Sequence, residues 1–168
     1  MAPVLVALAW APFSFLLHNI IHEGAHALVA RLQGARITAF WPFPGTKLGY
    51  FTFAHIKWEG TLNPKQMSRV LVAPVVAEIF WMVAALVGFA LTDGWLRMVL
   101  LVEVISSNVD IANWWFQGFY IVGKRPNCDA TRFAELTGLN PNVGRIWTVP
   151  HWILWFVLGI YFQRVFGF

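Results

Sequence analysis

The chain has 168 residues, of which 58% are hydrophobic and only 12% are charged. A soluble globular domain carries about 25% charged residues, so this composition excludes a water-soluble protein and predicts a single integral membrane domain over residues 1–168. The formal net charge is +4. No nucleic-acid-binding motif accompanies it, and the basic residues lie in loops between apolar segments. We therefore expect a lipid bilayer as partner and no nucleic acid.

The first thirteen residues, MAPVLVALAWAPF, contain no Lys or Arg ahead of their apolar run. A cleaved signal peptide normally begins with a basic region. We therefore expect this segment to belong to the mature protein. Cys128 is the single cysteine, which excludes a disulfide within the chain.

Four apolar segments are each long enough for a transmembrane helix, which needs about 20 residues. The first lies within 4–33, where Pro12 predicts a kink or restart and a well-formed helix from near Phe13. The other three are predicted at about 67–91, 95–122 and 146–166. Asp93-Gly94 predicts a turn that makes the second and third helices a tight antiparallel pair.

The segment 36–58, RITAFWPFPGTKLGYFTFAHIKW, separates the first two helices. It has β-branched and aromatic residues on both sides of Pro42-Phe43-Pro44-Gly45, a pattern typical of a β-hairpin. Because it is too apolar for an ordinary loop, we expect it to dip into the membrane interface. The predicted fold is thus an all-α polytopic membrane protein, with about four transmembrane helices and a membrane-associated β-hairpin between the first and second.

Basic residues predict the orientation in a cell membrane. Ten of them lie on one side of the predicted spans: Arg31, Arg36, Lys47, Lys57, Lys65, Arg69, Lys124, Arg125, Arg132 and Arg145. The opposite side has two, Arg97 and Arg164. By the positive-inside rule, loops 31–69 and 123–146 are cytoplasmic and both termini lie outside.

Residues 20–27, IIHEGAHA, contain an HExxH motif within the first apolar helix. Because positions i and i+4 share one helix face, His22 and His26 can bind one Zn²⁺, with Glu23 as the general base. Polar residues inside a membrane are costly and usually functional. The alternative is that hydrogen bonds between helices satisfy these histidines. His18 lies one turn earlier on the same helix. Because three ligands along one helix hardly converge on a tetrahedral ion, we expect His18 to contact the ligand residues rather than the metal, or to line a water path.

A catalytic zinc needs a third protein ligand and an open position. The candidate carboxylates are Glu78, Glu103, Asp110 and Asp129. The third predicted helix carries a polar stripe at spacings of three and four, which must face other helices: Glu103, Ser107, Asp110, Asn113 or Trp114, and Gln117. Such a stripe is typical of helix packing and also of a water-accessible wall opposite the metal. Spacing favours Asp110 as the ligand because it is the deepest carboxylate.

Residues 13–140 resemble the site-2 protease family of intramembrane zinc metalloproteases. FLLHNIIHEGAHALVARLQGARI is similar to that family's first core helix, and the hairpin that follows resembles its membrane-embedded β segment. LVAPVVAEIF is similar to the Ala-Gly-Pro stretch of the second core helix, with Ala73 in place of glycine. The resemblance leaves 146–166 as an additional C-terminal transmembrane helix and includes no PDZ or CBS domain.

The family's third ligand is an aspartate in an Asp-Gly motif, and the segment VDIANWWFQGFYIVGKRPNCDATRFAELTG resembles that region. The resemblance implies that Asp129 is the third ligand and that Asn113 stabilises the oxyanion or orients the substrate. Ala130 replaces the glycine, and the proline-rich run before the aspartate is missing.

The predicted function is zinc-dependent cleavage of a peptide bond within or near a transmembrane segment of a membrane-protein substrate, with one Zn²⁺ per chain. Glu23 deprotonates the attacking water and passes the proton to the leaving amine. Two alternatives stay open. One is a membrane metal protein without proteolytic activity, such as a transporter or metal carrier, and the other is an inactive scaffold.

Overall fold

The structure is a computed structural model that describes residues 2–47, 50–52, 54–120, 128–140 and 149–166. These residues form five helices, which are α1 (Ala2–Leu32), α2 (Pro64–Leu91), α3 (Gly94–Tyr120), α4 (Asp129–Thr137) and α5 (Val149–Phe166). The strands are β1 (Arg36–Trp41), β2 (Gly45–Lys47), β3 (Tyr50–Thr52) and β4 (His55–Glu59). The predicted end of the third span and the predicted start of the fourth lie outside the described residues.

Helix α1 is continuous from Ala2 to Leu32, so the prediction of a restart near Phe13 is wrong. Pro12 lies inside the helix and removes a single backbone N–H. The hydrogen bonds on both sides persist, as they often do in long apolar helices that contain proline. The helix ends where Gly34 adopts a φ of 94° and the Ala35 N–H donates to the Ala30 carbonyl at 3.0 Å.

The segment after α1 forms an antiparallel hairpin that contains two pairs of strands. At its base β1 pairs with β4, with Arg36 opposite Glu59 and Trp41 opposite His55. At its tip the short strands β2 and β3 pair with each other. The predicted hairpin is therefore confirmed as an antiparallel ribbon, while its association with the membrane stays a prediction.

Helix α2 begins with a capping box. The Gln66 N–H donates to Asn63 Oδ1 at 2.9 Å, and the Asn63 N–H donates to Gln66 Oε1 at 3.0 Å. Pro64 occupies the first turn, where its missing N–H costs no helix hydrogen bond. These local features start the helix at the point where the hairpin ends.

The turn predicted at Asp93-Gly94 lies between α2 and α3, where Gly94 adopts a φ of 65°. The two helices contact each other after this turn. The Trp81 indole N–H donates to Glu103, and Gly88 lies against the side chain of Leu100. Gly88 and Leu100 lie closer to the turn, and Trp81 and Glu103 lie further from it on their respective helices. This order of contacts is that of an antiparallel pair.

A small apolar core joins the end of α1, the base of the hairpin and the start of α2. Its buried members are Ala30, Ala35 and Val70, and the partly buried residues packed against them are Val29, Ile37, Trp58 and Leu62. Burying these side chains is favourable because it removes apolar surface from water. The core holds the backbone around Val70 close to the last turns of α1, which carry the HExxH motif.

The chain divides into two compact units, one up to Ile111 and one from Ala112. The first unit contains α1, the hairpin, α2 and the first part of α3. The second contains the rest of α3 with α4 and α5. Within the second unit, the Trp114 ring lies 5.2 Å from Trp115 and 5.5 Å from Phe133 between centroids.

Two of the described helices are long and apolar enough to cross a membrane, namely Val4–Leu32 and Pro64–Leu91. Many of their large side chains are exposed, for example Leu8 and Phe80. The described helix Val149–Tyr161 is apolar but shorter. Four transmembrane helices were predicted, and two of them are supported by length and composition.

Candidate metal centre

The two histidines of the HExxH motif lie on one face of α1. Their ring centroids are 5.2 Å apart, as expected for positions i and i+4. The His26 side chain is buried, whereas His22 and Glu23 are half-buried. The pairing of the two imidazoles follows from helix geometry alone.

His26 is oriented by a backbone carbonyl of α2. Its Nδ1 lies 2.8 Å from the Val70 carbonyl oxygen in a buried hydrogen bond. Since a carbonyl oxygen only accepts, Nδ1 must carry the proton, and Nε2 of the neutral ring then carries the lone pair. The ring is therefore held in the tautomer that can bind a metal through Nε2.

Proline explains why the Val70 carbonyl accepts from a side chain. In a regular helix this oxygen would accept from the N–H four residues later, and that residue is Pro74, which has none. A buried carbonyl without a donor is costly, and His26 supplies the donor. Pro74 thus makes an acceptor available at the position where His26 needs one.

His22 is oriented by a carboxylate of α3. Its Nδ1 lies 3.0 Å from Asp110 Oδ2, and both side chains are partly exposed. A carboxylate that accepts from one ring nitrogen favours metal binding through the other. Asp110, which spacing favoured as a ligand, therefore lies where it can orient a ligand histidine.

Asp129, the ligand that the family resemblance implied, is the first residue of α4. The N-cap of this helix is Cys128, whose Sγ accepts from the Thr131 N–H at 3.4 Å. Its role as the third ligand stays a prediction. Two imidazoles and a carboxylate are a donor set found in catalytic zinc sites.

The remaining predicted residues lie elsewhere. His18 is buried, with Nδ1 2.7 Å from Glu78 and Nε2 3.3 Å from Glu103, so its two nitrogens face carboxylates. The water path predicted beside it stays a prediction. Glu78 and Glu103, the other candidate ligands, are taken up by this contact. Asn113 is exposed on α3, and its predicted role in stabilising the oxyanion stays a prediction.

Three contacts of the predicted residues were not predicted from the sequence: the Val70 carbonyl at His26 and the indoles of Trp10 and Trp81 at Glu103. The Val70 carbonyl has no side-chain signature, although a proline four residues after an apolar position indicates an available oxygen. Trp10 and Trp81 donate to Glu103 at 2.6 and 2.8 Å. The sequence does not distinguish such tryptophans from those that lie at the membrane interface.

Comparison with known proteins finds no match to this chain among protein-family models, curated proteins or solved structures.

Proposed function

We propose that this chain is a zinc-dependent intramembrane endopeptidase of the site-2 protease type. It would hydrolyse a peptide bond within or near a transmembrane segment of a membrane-protein substrate. His22, His26 and Asp129 would hold one Zn²⁺, and Glu23 would act as the general base.

The observation that carries this proposal is the orientation of the two imidazoles. Each Nδ1 is tied to an acceptor on a different helix, Asp110 on α3 for His22 and the Val70 carbonyl on α2 for His26. Hydrogen bonds between helices would by themselves explain two satisfied histidines. However, metal-binding histidines almost always donate their second N–H in this way. The HExxH motif that carries both rings favours the metal-binding interpretation.

When bound, zinc supplies Lewis acidity, which acidifies water and polarises a carbonyl group. The chain's own residues would do the rest. Glu23 is adjacent to His22 in the motif, and its carboxylate would take the proton of the attacking water and deliver it to the leaving amine. Asp110 and Val70 would keep both imidazoles in the metal-binding tautomer throughout.

The ribbon formed by β1 and β4 would bind the substrate in an extended conformation. Each of these two strands has one partner strand among the described residues. A substrate that unwinds before cleavage exposes backbone N–H and C=O groups, and addition to a strand edge would satisfy them. The ribbon follows α1 directly, so it lies at the end of the helix that carries the catalytic motif.

The proposal includes four spans, with α3 and α5 added to the two apolar helices. The hydropathy of α3 is reduced by polar residues, and several of these contact α1: Glu103 meets Trp10, Ser106 meets Ser14, and Asp110 meets His22. Polar groups that face another helix are compatible with a membrane span. Together with the ten basic residues on one side, this favours cytoplasmic loops and external termini. Protease protection of tags at both termini in intact spheroplasts tests the orientation.

The decisive experiment combines metal content with cleavage in Glu23→Gln. Wild-type protein and the variant are purified without chelator, and zinc per chain is measured by elemental analysis. Each is also expressed in cells of the native host, and membrane proteins are compared for species that stay full length only with the variant. We expect equal zinc in both proteins and a loss of cleavage of about 10²–10⁴-fold in the variant, the usual contribution of a general base.

The same measurements separate the alternatives. Zinc retained by both proteins, with function unchanged in Glu23→Gln, would indicate a metal carrier or transporter. A membrane-protein profile identical for wild type and a strain lacking the protein would indicate an inactive scaffold. Absence of zinc from wild type would refute the proposal.

A further inference from the structure

A second cluster of ionisable side chains lies inside the first unit and plays no part in the proposed hydrolysis. His18 comes from α1, Glu78 from α2 and Glu103 from α3. All three are at least 90% buried, with exposures of 7%, 0% and 2%. A cluster of this kind in an apolar interior needs a chemical reason.

The two carboxylates have unequal surroundings. Glu103 accepts from the indole N–H of Trp10 at 2.6 Å and of Trp81 at 2.8 Å, and it also faces His18. Glu78 contacts His18 through Oε2 at 2.7 Å, and its other oxygen, Oε1, is buried without a hydrogen-bond partner among the described residues. Hydrogen bonds to the charged form favour ionisation, so Glu103 is the better site for a negative charge.

The geometry also constrains the protons on the imidazole. A neutral ring would direct one lone pair at a carboxylate oxygen, which is repulsive unless that carboxyl is protonated. A doubly protonated ring donates from Nδ1 to Glu78 and places its second N–H 3.3 Å from Glu103, a charged contact outside hydrogen-bond geometry. With both carboxylates ionised, one positive and two negative charges leave a net charge of minus one in an apolar interior. Uncompensated buried charge is costly, and uptake of one proton removes it.

We propose that His18, Glu78 and Glu103 form a proton-binding site separate from the candidate metal centre, with the bound proton on Glu78. The proton comes from water and forms an O–H bond on the Glu78 carboxyl group, which brings the cluster from a net charge of minus one to zero. His18 stays doubly protonated and Glu103 stays ionised between its donors. The site joins three helices, so their packing becomes dependent on proton binding.

The experiment uses three glutamate-to-glutamine variants of the full chain in the same detergent at neutral pH. Glu78→Gln mimics the protonated form, Glu103→Gln removes the ionised partner, and Glu59→Gln changes an exposed glutamate of β4 as the matched control. Infrared difference spectra report the carbonyl stretch of a protonated carboxylic acid. Thermal unfolding reports the apparent melting temperature.

We expect wild type and Glu59→Gln to show a carboxylic acid band that Glu78→Gln lacks. Glu78→Gln should unfold within about 3 °C of wild type, since it preserves the neutral group. Glu103→Gln should unfold about 6–20 °C lower, because it leaves the buried imidazolium without its ionised partner. Raising the pH of wild type should remove the band and lower the melting temperature together.

Three results would overturn the proposal. The first is the same carboxylic acid band in Glu78→Gln as in wild type. The second is a loss of stability in Glu78→Gln as large as that expected for Glu103→Gln. The third is a wild-type melting temperature that falls when sodium is replaced by choline, which would identify a metal cation as the neutralising ligand. The infrared comparison of wild type with Glu78→Gln decides the matter even if Glu103→Gln does not fold.

Discussion

Three histidines of α1 follow one another at intervals of four residues, yet the two ends of this stripe differ in chemistry. His18 has both ring nitrogens against carboxylates, whereas His22 and His26 each have Nδ1 on a single acceptor. The first arrangement favours an imidazolium, which has no lone pair and cannot bind a metal. The second places an acceptor at Nδ1, and a ring with its proton on Nδ1 can bind a metal through Nε2.

The difference shows that spacing on a helix is necessary but not sufficient for a ligand histidine. All three rings lie on the same face, so their position on α1 does not distinguish them. The groups on α2 and α3 that face their nitrogens distinguish them. Two facing carboxylates favour an imidazolium at His18, while a carboxylate or a carbonyl at Nδ1 favours the tautomer with its proton on that nitrogen.

The largest effect is expected when a ligand histidine is removed. His26→Ala should lower zinc affinity by more than about 100-fold. Removal of a residue that only orients a ligand lowers metal affinity by up to about 100-fold, and removal of the ligand itself should exceed that. His18→Gln should keep about one zinc per chain, because His18 is not a ligand in this proposal. Equilibrium dialysis against a zinc buffer measures both. If the two variants lose zinc equally, the distinction between the two ends of the stripe is wrong.

A smaller effect is expected when the orienting carboxylate is changed. Asp110→Ala should weaken zinc binding by about 10–100-fold, and Asp110→Asn by less, because the amide oxygen still accepts from Nδ1. The matched control is Asp93→Asn, which changes an exposed aspartate in the turn between α2 and α3. Complete loss of zinc in both Asp110 variants would instead indicate that Asp110 is a ligand.

Pro74→Ala should have opposite effects on metal binding and stability. The new N–H would compete for the Val70 carbonyl and weaken the orientation of His26, which we expect to lower zinc affinity by about 2–10-fold. The completed helix should raise the melting temperature. Pro12→Ala is the control, since it completes α1 without touching a ligand histidine, and its zinc affinity should equal that of wild type. Unchanged zinc affinity in Pro74→Ala would contradict the role given to the Val70 carbonyl.

The smallest effect is expected at the capping box of α2. Asn63→Ala removes the acceptor for the Gln66 N–H and should cost about 1 kcal/mol of unfolding free energy. In a chain of this size that corresponds to a melting temperature about 2–4 °C lower. Circular dichroism measures the shift, and the zinc content should not change. A loss of zinc would show that the start of α2 positions the site more directly than the contacts indicate.

Much of the fold could be predicted because its causes are local in sequence. The turn at Asp93-Gly94, the antiparallel hairpin and the shared face of His22 and His26 each depend on residues within a few positions of one another. The predicted restart of the helix after Pro12 was wrong. A proline removes one hydrogen bond, and the remaining apolar residues keep the helix intact.

The partners of the polar residues could not be predicted, because they belong to other helices. Glu78, Glu103 and Asp110 are all carboxylates within apolar segments of the sequence, and spacing made Asp110 the strongest ligand candidate. The structure pairs Glu78 and Glu103 with His18, and Asp110 with Nδ1 of His22. Helical periodicity gives the face on which a side chain lies, but not the atom opposite it.

By itself, the amino-acid sequence determined a strongly apolar chain, a helix with two imidazoles one turn apart, and a hairpin after it. These features follow from composition and from short-range backbone geometry. Only the tertiary structure decided which group faces Nδ1 of each imidazole, because those groups lie 44 to 88 positions away along the chain. Hydrogen bonds act over about 3 Å, so contacts this distant in sequence exist only after the helices have packed.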